Sequence, residues 1–98
     1  DLVGSDEEAV FEAVGRRMEK ETLARLMEAH LKKREKLVLT LRYGLGGRAP
    51  MAQREVASLL GISRSYISRI EKKAMEKLRR ALEREQGSEA SASGMRPN

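Results

Sequence analysis

Apolar residues recur along this chain at helical spacing. Val10, Phe11, Val14 and Met18 fall at i, i+1, i+4 and i+8, and Leu23, Leu26, Met27 and Leu31 at i, i+3, i+4 and i+8, each an amphipathic stripe. Leu37, Val38 and Leu41 continue the pattern in a third segment. That segment stops at Tyr43-Gly44-Leu45-Gly46-Gly47, where glycine permits the left-handed conformation that closes a helix, and Arg48-Ala49-Pro50-Met51 reads as a loop. No stretch alternates apolar and polar residues long enough to predict a strand. The expected fold class is all-α, a small helical bundle.

From Gln53 the pattern is more specific. Val56, Ala57, Leu59 and Leu60 form a short apolar face, Gly61 interrupts it, Ile62 follows, and Ser63 can cap a new helix carrying Ile67, Ile70, Ala74, Leu78 and Leu82. Two helices joined by a tight glycine turn predict a helix-turn-helix with a long second helix, the recognition helix of such motifs. Ala57 is small where two helices cross closely, and Gly61 adopts the turn without a steric cost. The Ser63 hydroxyl can accept a first-turn amide, which leaves other amides for a phosphate. With Ile67 at zero and about 100° per residue, Ile70, Ala74 and Leu78 share one side. Ser65, Ser68, Arg69, Lys72 and Glu76 fall on the far side, Tyr66 and Lys73 on a flank, and Arg64 at the N-terminal edge. Such a surface can present arginine to guanine edges in a major groove, while Ser and Tyr reach bases or phosphates. Lys77, Arg79, Arg80 and Arg84 continue the basic character.

Charge and composition narrow the chemistry. The 98 residues carry a formal net charge of +5, unevenly placed. Residues 1–15 hold five acids and no Lys or Arg, residues 16–47 nine bases against four acids, and residues 48–86 ten against five. Positive charge in the folding part suits a polyanion partner. There is no cysteine and one histidine, His30, so disulfides, thiolate chemistry and a Cys- or His-rich metal site are all expected to be absent, and neither a cofactor nor an enzymatic activity is expected. His30 ends a stripe and reads as a surface or capping residue. Gly44, Gly46 and Gly47 follow a helix without a Gly-Lys-Ser/Thr, so a phosphate-binding loop is not indicated. No apolar run approaches the ~20 residues of a membrane span, and a soluble protein without membrane contact is expected. Starting at Asp1 without an initiator methionine, the chain is expected to be part of something longer, and its tail from Gly87 is too polar for a fold to be expected there.

Gly61-Ile62-Ser63-Arg64-Ser65-Tyr66-Ile67-Ser68-Arg69-Ile70-Glu71-Lys72-Lys73-Ala74, preceded by Gln53-Arg54-Glu55-Val56-Ala57 and by Arg34-Glu35 … Leu41-Arg42-Tyr43-Gly44-Leu45, resembles region 4, the C-terminal domain, of bacterial primary-like sigma factors of the sigma-70 family, above all the sporulation group. The resemblance spans about Asp1 to Leu82, the opening Asp1–Asp6 being similar to the linker into region 4. It implies a dissociable RNA polymerase subunit whose recognition helix reads the −35 promoter element while its other half docks on the flap of the β subunit. Carried over by motif position, Arg64 and Arg69 would reach base edges, Ser65 and Ser68 would tune base choice, and Arg54, Ser63, Tyr66, Lys72 and Lys73 would meet phosphates. Tyr66 reads equally as a packing residue at the turn. Leu23, Leu26, Leu37 and Leu41 belong to the flap-docking half, as core or as contact. An anti-sigma factor is a further partner the resemblance admits, and the isolated domain is expected to be a monomer in bacterial cytoplasm.

The implied organisation is a linker and lead-in helix over 1–19, region 4 over 20–84 and a disordered tail over 85–98. Within region 4, 20–47 is the flap-docking half and 52–84 the helix-turn-helix half. Four positions depart from the family pattern. Ala52 stands where Thr is usual, which removes a capping hydroxyl and a phosphate contact. Lys32-Lys33 stand where Pro or Asp-Glu is common, which opposes the helix dipole by ~0.3–1 kcal/mol and leaves open a soft boundary or fused helices. Val3 replaces Leu. Two other readings fit the residues: a stand-alone dimeric helix-turn-helix regulator, which needs recognition helices about 34 Å apart and a dimer interface that no heptad supplies, or a mainly protein-binding helical module.

Overall fold

A computed structural model describes residues 19–94. It contains four helices, α1 (Lys20–His30), α2 (Lys33–Tyr43), α3 (Gln53–Leu60) and α4 (Arg64–Gly94), and no strand among the described residues. The first stripe, Val10 to Met18, and residues 1–18 of the linker and lead-in helix expected over 1–19 lie outside the described residues, as do residues 95–98.

The apolar residues condense into two clusters that share α2 and α4. Leu26, Met27 and Leu31 from the α1 side meet Leu39 of α2 and Ala74, Met75, Leu78 and Ala81 of α4. Val38 and Leu41 of α2 meet Val56 and Ala57 of α3 and Ile67 and Ile70 of α4. Leu39 and its neighbours therefore bind α2 on two sides, because residues one position apart on a helix point about 100° apart. The helix-turn-helix is thus cored separately from the α1 half. Leu59, expected on the inner face of α3, is instead 61% exposed, since its neighbours Val56 and Ala57 fill the contact with α2 and α4.

Helix ends explain the boundaries. α2 and α3 both close on left-handed glycines, Gly44 (φ 65°) and Gly61 (φ 71°). The following residues, Leu45 and Ile62, donate their amides to Thr40 and Ala57 carbonyls at 3.1 Å and pack on the two clusters, the hydrophobic contact that accompanies this terminus. At the N-termini, Lys32 and Ala52 have no side-chain acceptor, and only the reciprocal half of a capping box forms: Glu35 accepts the Lys32 amide and Glu55 the Ala52 amide, each at 2.8 Å. The glutamate three residues into α2 also offsets the dipole that Lys32-Lys33 oppose. α1 and α2 remain separate helices, divided at Leu31-Lys32.

α4 overruns the boundary expected at residue 85 and extends to Gly94. Ala81 and Leu82 are buried, Glu85 takes a bidentate ion pair from Arg25 of α1, and the sequence onward to Gly94 contains Glu and Ala but no proline. No helix among the described residues is long and apolar enough to cross a membrane.

Candidate nucleic-acid interface

The recognition surface begins at the turn. Gly61 places Ser63 ahead of α4, and Ser63 Oγ accepts the Tyr66 amide at 3.1 Å, the capping bond its position predicts. With that amide used, the serine locks the entry of α4. Ile67 and Ile70 then seat the helix on α2 and α3, so the opposite side of its first turns faces outward.

That outward side holds Arg64, Ser65, Arg69, Lys72 and Lys73, all exposed, with Ser68 half-buried at its edge. Tyr66 is 40% exposed and belongs to neither cluster; the Arg69 guanidinium lies 5.7 Å from its ring centroid, a cation–π contact that helps orient Arg69. Arg54 projects from the first turn of α3 and is exposed as well. Of the nine residues expected from the sequence to face DNA, Ser68 is half-buried and the other eight are exposed, Arg54 on α3 and the rest at or just before the first turns of α4.

The acids of α4 are arranged so that this surface stays positive. Glu71, in the middle of the segment, is fully buried. Glu76 accepts Arg79 at 2.6 Å and Arg80 at 3.2 Å, and Glu83 accepts Arg79 at 2.8 Å. Those guanidinium bonds hold the Glu76 carboxyl below its ordinary value. Lys77 is committed to Glu35 at 2.9 Å. The basic run read from the sequence is therefore split: beyond Lys73 much of it is neutralised within the molecule, whereas from Arg64 to Lys73 no exposed carboxylate intervenes.

Behind the surface lies a polar network that sequence reasoning missed. Glu71 Oε1 accepts Arg42 Nε of α2 at 3.0 Å and Gln53 Nε2, the first residue of α3, at 2.9 Å, while Oε2 accepts the Tyr43 hydroxyl. The Arg42 guanidinium also donates to the Met51 carbonyl at 2.7 Å, and the Met51 amide bonds the Leu41 carbonyl at 3.0 Å. One carboxylate thus ties α2, the loop and α3 to the recognition helix. A signal existed: on the wheel Glu71 lies about 40° from Ile67, inside the apolar arc.

The other half presents a groove. Leu23, Ala24, Met27, Thr40 and Leu45 line it, with Lys20 and Lys36 at its rim and Gly44–Gly47 along one wall. Of the four leucines assigned to flap docking, Leu23 lines this groove and Leu37 is 44% exposed. Leu26 and Leu41 are corrected to core residues: each is sealed in a cluster, Leu26 against α4 and Leu41 against α3, and neither can meet a partner without opening the domain. Among the described residues no group of three or more His, Asp or Glu side chains could hold a metal ion.

Comparison with known proteins agrees with this geometry. The profile of the family described as Sigma-70, region 4 matches residues 29–80. The RNA polymerase sigma-E factor of Clostridium acetobutylicum is 39% identical over 82 residues, covering 84% of this chain and 34% of that protein. The RNA polymerase sigma-28 factor of Bacillus thuringiensis subsp. kurstaki is 44% identical over 78 residues, 80% of this chain and 32% of that protein. The RNA polymerase sigma-K factor of Bacillus subtilis is 42% identical over 78 residues, 80% of this chain and 26% of that protein. The chain thus spans about a third or less of the length of these relatives. No solved structure matches it significantly.

Proposed function

This chain belongs to the sigma-70 family and carries its region 4, and from that premise we propose that it reads the −35 element of bacterial promoters for RNA polymerase in transcription initiation. The observation that carries the reading is the acid-free outer side of α4 from Arg64 to Lys73, set on a Ser63-capped helix start. Arg64 and Arg69 are the base-reading side chains, Ser65 and Ser68 adjust base choice, and Arg54, Ser63, Tyr66, Lys72 and Lys73 lie where phosphates would pass. The function is binding, with no bond made or broken by this domain.

The groove supplies the second contact. Leu23, with Met27 and Leu45, lines the apolar groove on which the β flap would dock, the exposed Leu37 of α2 offers a further apolar contact, and an anti-sigma factor would compete there. Similarity to the sigma-E and sigma-K factors supports a role among sporulation genes. A dimeric regulator is disfavoured because α4 beyond Leu82 alternates Glu, Arg, Ser and Ala without an apolar stripe on which a second copy could pack.

The test is a titration of the 98-residue chain against a −35 duplex and a scrambled one, across a range of salt, with and without the flap domain. Alone, the monomer is expected to bind in the ~10⁻⁴–10⁻⁶ M range with little preference, and the flap raises specificity. Arg64→Ala should cost ~1–3 kcal/mol and relax one base pair, whereas Lys73→Ala should weaken all sequences alike and lower the salt slope by about 1. Tight, specific binding by a dimer without the flap would overturn the reading.

A further inference from the structure

We propose that Gln53 is a positioning residue for DNA-backbone contact: by donating to the buried Glu71 carboxylate it fixes the first turn of α3 and so aims Arg54 at a phosphate. The proposal rests on the DNA-reading function argued above and adds to it how one phosphate contact is held in place.

The start of α3 has few restraints of its own. Ala52 offers no capping oxygen, and the Glu55 carboxylate that receives the Ala52 amide belongs to α3 itself, so it shapes the turn without orienting it. Val56 and Ala57 seat the body of α3 on α2 and α4, and its first turn is tied down by two bonds outside the helix. Met51, just before the turn, is held by Arg42 and Leu41 of α2. Gln53, just inside it, is held by Glu71 of α4 at 2.9 Å, with the glutamine itself buried. Two anchors on either side of Ala52 hold the first turn in place at the end of that packed face. Arg54 is the next residue, about 100° further round and exposed. If the Gln53 bond is lost, the Met51 anchor and the Val56–Ala57 packing remain, but the first turn loses its direct tie to α4, and a long arginine side chain amplifies any small displacement at its guanidinium. Glu71 itself lies between Ile70 and Lys72 of the recognition helix, so the bond references the α3 contact directly to the helix that enters the groove. The carboxylate also keeps its partners Arg42 and Tyr43 when Gln53 is replaced, which leaves the joint between α2 and α4 in place.

A double-mutant cycle tests this, using the 98-residue chain and a −35 duplex by fluorescence anisotropy across a salt series. Gln53→Ala and Arg54→Ala are each expected to weaken binding roughly fivefold and to lower the salt slope by close to one phosphate. The double variant should bind no more weakly than Arg54→Ala alone, because Gln53 acts through Arg54. Gln53→Ala combined with Lys73→Ala, a contact on another element, should instead multiply the two losses. Gln53→Met, which keeps the buried stem but not the donor, repeats the measurement should the alanine variant fold poorly by circular dichroism, and flap binding should be unchanged in both. Multiplicative losses for Gln53 and Arg54 would assign Gln53 to stability alone and overturn the proposal, as would unchanged affinity in Gln53→Ala. Failure of the wild-type chain to prefer the −35 duplex with the flap present would overturn the promoter reading separately, since the cycle reads phosphate contacts that any duplex supplies.

Discussion

Replacing Arg42 by methionine asks how much of the domain hangs on the buried carboxylate at its centre. The Glu71 side chain has 0% exposure and that of Arg42 5%, with Nε to Oε1 at 3.0 Å. In Arg42→Met the carboxylate keeps two neutral donors, from Tyr43 and Gln53, but loses the Arg42 counter-charge, and the Met51 carbonyl loses a donor. Removing one partner of a buried pair costs about 3–5 kcal/mol, because an unpaired charge remains out of water. Small domains have total stabilities near ~5 kcal/mol, so this variant should be largely unfolded or close to it at 37 °C. Glu71→Leu should cost a comparable amount, with the guanidinium left against Met51. Arg42→Met/Glu71→Leu removes both charges and leaves the Tyr43 hydroxyl, the Gln53 amide and the Met51 carbonyl to find new partners. Each such orphan costs ~1–3 kcal/mol at most, and Tyr43, only half-buried, can turn to water. The double variant should therefore be more stable than the sum of the single losses by about 2 kcal/mol or more. Urea unfolding followed by far-UV circular dichroism gives all four corners of the cycle. Single losses below ~1 kcal/mol, or strictly additive ones, would refute the idea that this pair is a buried unit on which the recognition helix rests.

Gly44→Ala should be far more damaging than Gly61→Ala in thermal melts: both sit at positive φ, costing about 1–2 kcal/mol for alanine, but a Cβ at 44 would collide with the Arg48 carbonyl oxygen and lie 3.0 Å from the Pro50 nitrogen, while at 61 it meets open space. Burial pushes the Glu35 carboxyl up, but its bonds to Lys77 and to the Lys32 amide prevail and hold it below its ordinary value. A depressed carboxylate stabilises the fold above its unfolded pKa near ~4.3, and that stability is lost as pH falls through the lower folded value; melts on the acid side of ~4.3 should show the loss, and Glu35→Gln should flatten that limb. Ala52→Thr should restore the missing cap of α3 and raise stability by about 1 kcal/mol in urea, with a small gain in DNA affinity from the added hydroxyl.

Among the described residues, those that read as helix from sequence are helix, because a 3.6-residue apolar stripe needs only its own segment to be recognised. Gly44 and Gly61 marked the ends for the same local reason. The pattern failed where the outcome depended on which neighbour arrived. Leu59 and Val56 are both apolar on α3, yet Val56 is sealed and Leu59 exposed, since the short helix offers only a narrow contact to α2 and α4. Leu23, Leu26, Leu37 and Leu41 looked alike for docking; only packing separates Leu26 and Leu41, which complete two different clusters, from the two left at the surface. The split of the basic run on α4 was partly legible, because Arg79 meets Glu76 and Glu83 at three and four residues' spacing. The pairing of Lys77 with Glu35 across 42 residues was not.

This difference explains why the basic outer face of α4 was readable and its foundation was not. A surface that meets a polyanion needs exposure and charge, both of which follow from the face a helix turns outward. Holding that surface in register needs convergence: Glu71 meets residues 29, 28 and 18 positions away, on two other helices. No periodicity encodes such a meeting. What the chain does show is a charge inside an apolar arc, and a buried carboxylate is costly unless partners come to it. An acidic residue at that place is therefore a demand on the rest of the sequence, and Arg42, Tyr43 and Gln53 meet it together. The same reasoning explains the chemistry of the outer face. With Glu71 turned inward and matched by Arg42, the segment from Arg64 to Lys73 carries its one acid without exposing that charge beside Arg69, Lys72 and Lys73, so stability of the joint and a positive outer face are obtained from opposite sides of one helix.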